Sequence, residues 1–153
     1  MAAGTFTLYG KNKDDLNIND LVGATVKLAL VTSSYTPNVD SSTGHALWSD
    51  VSGNETANGN GYTTGGVALA SLAATAVTGG FKFSSGNPQW TASGSGIPAH
   101  RYYVMYVSGT LWSLTNPLIG YFVGDSTPAD IAATTTGNTL TVTCPSGGWF
   151  DAT

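Results

Sequence analysis

Chain breakers are spread evenly along this sequence, and they limit what it can fold into more than any other feature does. Glycine, proline and Asn-Gly or Gly-Asn pairs interrupt every apolar stretch, and the chain contains 20 glycines in 153 residues. Long helices cannot survive such interruptions, whereas short strands joined by turns can. The sequence therefore predicts an all-β protein.

The apolar stretches have the period expected of strands. Residues 24–31 alternate, with Ala24, Val26, Leu28 and Leu30 on one face, which predicts a half-buried strand. Residues 138–144 repeat this pattern. Residues 101–107 and 118–123 are apolar on both faces, which is typical of central strands or of a face that meets a partner. Weaker strands are predicted at five further places: 5–9, 67–72, 81–84, 89–92 and 149–151.

The predicted architecture is an antiparallel β-sandwich or jelly roll, formed by residues 1–153 as a single domain. At most a short helix is expected, within residues 11–21, with Asn12 or Asp14 as its cap. Residues 32–61 form one long irregular loop, called the arm below. A connection of this length is usually functional or docked on a partner. We expect that removing residues 38–60 would leave a folded core.

Charge and cysteine content exclude several classes of protein. Only 9% of the residues are charged and the net charge is −4, which disfavours binding to nucleic acid or to an anionic membrane. No apolar run is long enough to span a bilayer, and the start of the sequence lacks the features of a signal peptide. The single cysteine, Cys144, forbids an internal disulfide. Synthesis and folding in a reducing cytosol are expected.

Catalytic groups are scarce. His45 and His100 are the only histidines, and neither has a partner at zinc-ligand spacing or a nucleophile-elbow motif. Residues 15–20 lack the glycine and glutamate of a calcium loop. We therefore predict no catalytic residue, no cofactor and no metal site. The aromatic residues are more informative, because such side chains fill cores, anchor interfaces or stack on sugars. Six residues are candidates for an interface: Tyr35, Pro37, Trp48, Tyr62, Trp112 and Trp149.

Several motifs resemble a family of small virion proteins of tailed bacteriophages. They are Leu-Val-Thr-Ser-Ser-Tyr-Thr-Pro at 30–37, Trp-Ser-Asp-Val at 48–51, Asn-Glu at 54–55, Gly-Tyr-Thr-Thr-Gly-Gly at 61–66 and Pro-Leu-Ile-Gly-Tyr at 117–121. The resemblance implies a β-sandwich structural protein that acts on the capsid surface as a cement or decoration protein. Its partners would be the major capsid protein and further copies of itself.

In that case the arm would lie across a neighbouring subunit, and the strand edges at residues 5–9 or 149–151 would be covered in the assembly. The alternative is a tail or tail-fibre component that binds glycans through Trp48, Trp90 or Trp112. An enzyme is the least favoured of the three hypotheses.

Overall fold

A computed structural model describes residues 3–152 of the protein, and their regular secondary structure is mostly β-strand. The strands are β1 Thr7–Leu8, β2 Val26–Val31, β3 Val67–Ala68, β4 Ala73–Val77, β5 Gly80–Ser84, β6 Gln89–Thr91, β7 Tyr102–Val107, β8 Thr110–Leu111, β9 Leu114–Thr115, β10 Leu118–Val123, β11 Thr139–Thr141 and β12 Phe150–Ala152. One α-helix, α1, spans Ile18–Val22, and three short 3-10 turns span Gly10–Asn12, Trp48–Asp50 and Ser52–Asn54. The prediction of an all-β fold with little helix is confirmed.

The centre of the molecule is a five-stranded antiparallel sheet in the order β1-β10-β7-β2-β3. Its three long strands, β2, β7 and β10, are apolar on both faces and lie in the middle. This placement confirms the central position predicted for residues 101–107 and 118–123. The half-buried character predicted for residues 24–31 is wrong, because Ala29 and Val31 are as fully buried as Leu28 and Leu30.

One face of the central sheet packs against smaller sheets. A three-stranded sheet, β12-β5-β4, and a two-stranded sheet, β11-β6, lie on this side together with α1. Leu28, Leu30 and Met105 point into the shared core, where they meet side chains such as Phe83 and Trp90. Burial of this apolar surface is the main force that holds the layers together.

The opposite face of the central sheet is covered by the arm. Tyr35, Trp48 and Val51 come from the arm and form a second core with Val104 and Tyr106 of β7. Both faces of the central strands are thus buried within one chain. The arm therefore does not extend away from the domain towards a neighbour as we expected. Because residues 38–60 supply Trp48 and Val51, removing them would uncover the second core rather than leave the domain folded.

Local signals in the sequence explain most of the element ends. Helix α1 overlaps the end of the predicted segment and extends one residue beyond it, and its cap is Asn17 rather than Asn12 or Asp14. The Asn17 side chain accepts a hydrogen bond from the Asn19 N–H at 2.9 Å. The β8-β9 hairpin was not predicted. Its two turn residues, Trp112 and Ser113, both have positive φ, a conformation for which Asn-Gly is the usual sequence.

Candidate functional site

The arm is attached to the central sheet at two of its strands. On one side, residues beside Glu55 pair with the end of β2, where the Thr56 N–H donates to the Leu30 carbonyl at 2.9 Å. On the other side, the Leu118 N–H of β10 donates to the Ala46 carbonyl at 2.8 Å. The arm thus crosses the sheet between β10 and β2. Backbone pairing at both ends fixes its position.

A buried asparagine reinforces the attachment beside β10. The side chain of Asn12, which is 4% exposed, donates from Nδ2 to the carbonyls of Ala46 and Leu118 at 2.6 and 2.9 Å. One amide therefore binds the arm and the central sheet together. A buried polar group is stable only when it is hydrogen-bonded, so this residue gives the arm a defined register.

Aromatic stacking fixes the middle of the arm. The indole ring of Trp48 is parallel to the ring of Tyr106, with centroids 4.4 Å apart. The hydroxyl group of Tyr106 donates to the Gly65 carbonyl at 2.8 Å, and burial raises the pKa of this tyrosine to about 12. The ring and the hydroxyl group of Tyr106 thus both contact residues of the same chain.

A chain of hydrogen bonds runs from the sheet to the surface of the arm. The hydroxyl groups of Tyr9 and Tyr35 lie 2.8 Å apart, and the Tyr35 hydroxyl lies 2.7 Å from Nδ1 of His45. Burial raises the pKa of Tyr9 above its usual range and that of Tyr35 to about 12, so both stay protonated at neutral pH. The cluster therefore holds the arm against the sheet.

The single glutamate of the sequence also has a structural role. Glu55 Oε1 accepts a hydrogen bond from the Tyr62 hydroxyl at 2.6 Å and another from the Gly65 N–H. The Tyr62 hydroxyl in turn accepts from the Leu30 N–H at 3.1 Å. Burial, with the neighbouring Glu55, raises the pKa of Tyr62 above its usual range. These bonds fix the end of the arm to β2.

The outer surface of the arm is a tight polar loop, residues 37–44. Asp40 Oδ1 accepts hydrogen bonds from the N–H groups and the hydroxyls of Ser42 and Thr43, which hold the pKa of this exposed carboxyl well below its usual range. The Gly10 N–H donates to the Val39 carbonyl at 3.2 Å and ties the loop to the domain. Val39 is 38% exposed and, with Val22 and Phe81, is one of three exposed large apolar side chains within residues 3–152.

Four of the six residues predicted for an interface are core residues of this chain. Tyr35, Trp48, Tyr62 and Trp149 are each at most 9% exposed. Because side chains packed inside the molecule present little surface to a protein partner, we correct the assignment of these four residues to the core; Trp149 also lines the cleft described below. Pro37 and Trp112 keep part of their surface exposed. Pro37 lies beside Val39 in the loop of the arm, and the Trp112 Nε1–H donates to Asp20 Oδ2 at 3.0 Å.

His100 is buried rather than placed in a cleft. Its Nε2 lies 2.9 Å from the Tyr103 hydroxyl and its Nδ1 lies 3.3 Å from the Pro98 carbonyl. Burial lowers the pKa of His100 and raises that of Tyr103 to about 12. Both ring nitrogens are occupied, and the histidine is 1% exposed. This arrangement is that of a structural histidine.

A cleft lies beside Tyr103 of β7 and its cross-strand partner Phe122 of β10. It has a volume of about 480 Å³ between the segment before β1 and the turn before β12. Its lining combines aromatic rings with threonines, among them Phe6, Tyr103, Phe122, Trp149, Thr5 and Thr143. The rings of Tyr103 and Phe122 are stacked 4.9 Å apart and form part of its floor. The cleft has no charged group in its lining.

Within residues 3–152, no group of three His, Cys, Asp or Glu side chains is arranged to hold a metal ion. No helix in this part of the chain is long and apolar enough to cross a membrane. Comparison with known proteins gives no family model, no curated protein and no solved structure that matches the chain.

Proposed function

We propose that this chain is a virion structural protein of a tailed bacteriophage, which binds the outside of the capsid shell as a cement or decoration protein. The motifs of the arm and of β10 that resemble such proteins support this proposal. The observation that carries it is the arm itself, an irregular segment held rigidly against the domain by hydrogen bonds at both ends. The major capsid protein is the proposed partner, and no catalytic step is involved.

A rigid loop suits a protein whose task is to bind. Loop residues that are ordered before binding lose little conformational entropy when a partner docks. The loop at residues 37–44 has this property, because Asp40 organises its backbone and Gly10 anchors it. We propose that this loop, with Val39 at its surface and Pro37 beside it, contacts the capsid subunits.

The layered packing supports the prediction of a β-sandwich. A central sheet lies beneath smaller antiparallel sheets, with a shared apolar core between them. We propose on this basis that the fold is a modified β-sandwich, whose second face is closed by the arm instead of by a further sheet.

Shell binding by matched valine variants tests the proposal. Val39 and Val22 are equally exposed, at 38% and 39%, but Val39 lies on the arm and Val22 on α1. Purified chain is mixed with capsid shells of its phage that lack it, and the bound fraction is measured by co-sedimentation. Val39→Asp is expected to weaken binding at least about tenfold, and Val22→Asp to leave it unchanged. Failure of the wild-type chain to bind such shells would refute the proposal.

The aromatic cleft favours a second candidate, a tail or tail-fibre component that binds glycans. An aromatic ring such as Phe6, with the hydroxyls of Thr5 and Thr143 around it, suits a sugar ring. Trp48 and Trp90, which the sequence suggested for this role, are buried. A glycan screen tests the candidate: binding that is lost in Phe6→Ala would support it, and a screen without hits would count against it.

A further inference from the structure

The strand β4 has the longest edge without a neighbouring strand in the described part of the chain. It pairs with β5 alone, so its other side has no neighbouring strand. The remaining edge strands, such as β1, β3, β11 and β12, have only two or three residues, whereas Ala73–Val77 has five. Proteins usually protect a long edge with charges, proline or a bulge. β4 reads Ala-Ala-Thr-Ala-Val and has none of these.

The register shows which backbone groups of β4 face outward. Val77 and Gly80 flank a two-residue turn and form a hydrogen-bonded pair, so Thr75 pairs in the same way with Lys82. Ala74 faces Phe83, whose carbonyl accepts from the Trp149 N–H on the other side, at 2.7 Å. The backbone groups of Ala74 and Ala76 therefore point away from β5. Within residues 3–152 they have no hydrogen-bond partner.

We propose that the β4 edge binds the β4 edge of a second copy of this chain, antiparallel, about a two-fold axis through Thr75. In that register Ala74 lies opposite Ala76 of the second copy, and each pair exchanges both of its hydrogen bonds. Thr75 faces its own equivalent on the axis. The two three-stranded sheets then join into one continuous sheet, β12-β5-β4-β4-β5-β12.

The side chains around this edge fit a second copy better than a partner of different sequence. The register sets alanine opposite alanine, so no side chain obstructs the approach and no charge is buried. Phe81, which is 44% exposed, lies in the same cross-strand row as Ala76. In the dimer, Ala74 of the second copy would continue this row beyond Ala76 and lengthen a continuous apolar strip. The inference goes beyond the proposed capsid role and rests on it only for its biological setting.

Sedimentation velocity of the full chain over a concentration series tests the proposal. The wild-type chain is expected to form a dimer, and Thr75→Lys to weaken it about fivefold because like charges oppose each other on the axis. Ala76→Pro removes an outward N–H from each copy and is expected to weaken the dimer about thirtyfold. Thr139→Lys, on the exposed edge strand β11, is the matched control and should leave the dimer unchanged.

Two further measurements distinguish loss of the contact between the two β4 edges, called the β4 seam below, from damage to the fold of the variant. An equimolar mixture of Thr75→Lys and Thr75→Glu should recover the dimer, since opposite charges then face each other. In a Cys144→Ser background, Thr75→Cys should oxidise to a covalent dimer, because opposed residues on such an axis lie within disulfide range, whereas Thr139→Cys should not. Circular dichroism confirms that each variant is folded.

Failure of the β4 seam and failure of the capsid role give different results. A wild-type chain that is monomeric at every concentration, or a dimer that survives both Thr75→Lys and Ala76→Pro, overturns the β4 seam. Shell binding by such a chain would leave the proposed function standing. A dimer with the expected sensitivities that nevertheless fails to bind capsid shells would support the seam and refute the capsid role.

Discussion

The indole ring of Trp48 lies flat against the ring of Tyr106, with 4.4 Å between the centroids and 8° between the planes. This contact joins the middle of the arm to the central strand β7. It helps to explain why a long segment with few apolar residues stays in one conformation, because Tyr35, Trp48 and Val51 of the arm all pack on the sheet beneath. The arm is part of the core of the domain, and only its outer surface remains for a partner.

Replacing Trp48 with alanine should therefore destabilise the whole domain. We expect a loss of roughly 3–5 kcal/mol in the free energy of unfolding, the usual cost of removing a buried tryptophan. Urea denaturation measures this loss. Trp112→Ala is the control, since Trp112 is only partly buried, and its loss should be clearly smaller. A cost below about 1 kcal/mol for Trp48→Ala would show that the arm is not part of the core.

The amide of Asn12 should matter as much as a core side chain. In Asn12→Ala the buried carbonyl of Leu118 loses this donor, and the Ala46 carbonyl keeps only the Leu118 N–H, at an expected cost of roughly 2–3 kcal/mol. Hydrogen exchange should also increase in the arm, at the Trp48 N–H above all. Asn38→Ala removes a comparable but exposed side-chain bond, to the Thr43 carbonyl, and should cost little. Equal stability of the two variants would contradict this account of Asn12.

His100 should make the domain less stable in mild acid. Burial holds its folded-state pKa below the ordinary value of 6.5, so the unfolded chain binds this proton more readily. Stability should therefore fall as the pH falls below about 6.5 and approaches the folded-state pKa. Thermal midpoints measured across this range test the effect. His100→Gln should remove this part of the pH dependence, while His45→Gln should retain it. An unchanged profile in His100→Gln would count against the assignment.

Periodicity predicted the strands well and the coverage of the sheet poorly. The apolar runs of β7 and β10 correctly indicated central strands, because both faces of such strands must be buried. In β2 the alternation concealed the second buried face, since Ala29 is small and Lys27 interrupts the pattern. The β8-β9 hairpin was missed because its turn uses Trp112 and Ser113 in place of the residues that usually mark such turns.

The roles of the aromatic residues depended on contacts that sequence spacing does not show. Tyr35, Trp48 and Tyr62 lie in or just after a segment without regular structure, where exposed binding residues are common. Their burial depends on backbone pairing of the arm with β2 and β10, between residues distant in the sequence. The open edge of β4 was missed for the same reason, because strand order in a sheet is a long-range property.

The copy number of the protein in purified virions, relative to the major capsid protein, tests the proposed function most directly. Quantitative mass spectrometry of the particles of its phage provides this ratio. Our account predicts a ratio close to the number of capsid subunits or capsomers, as expected of a protein that covers the shell. A ratio far below this would indicate a tail position, and absence of the protein from the particles would contradict a role in the virion.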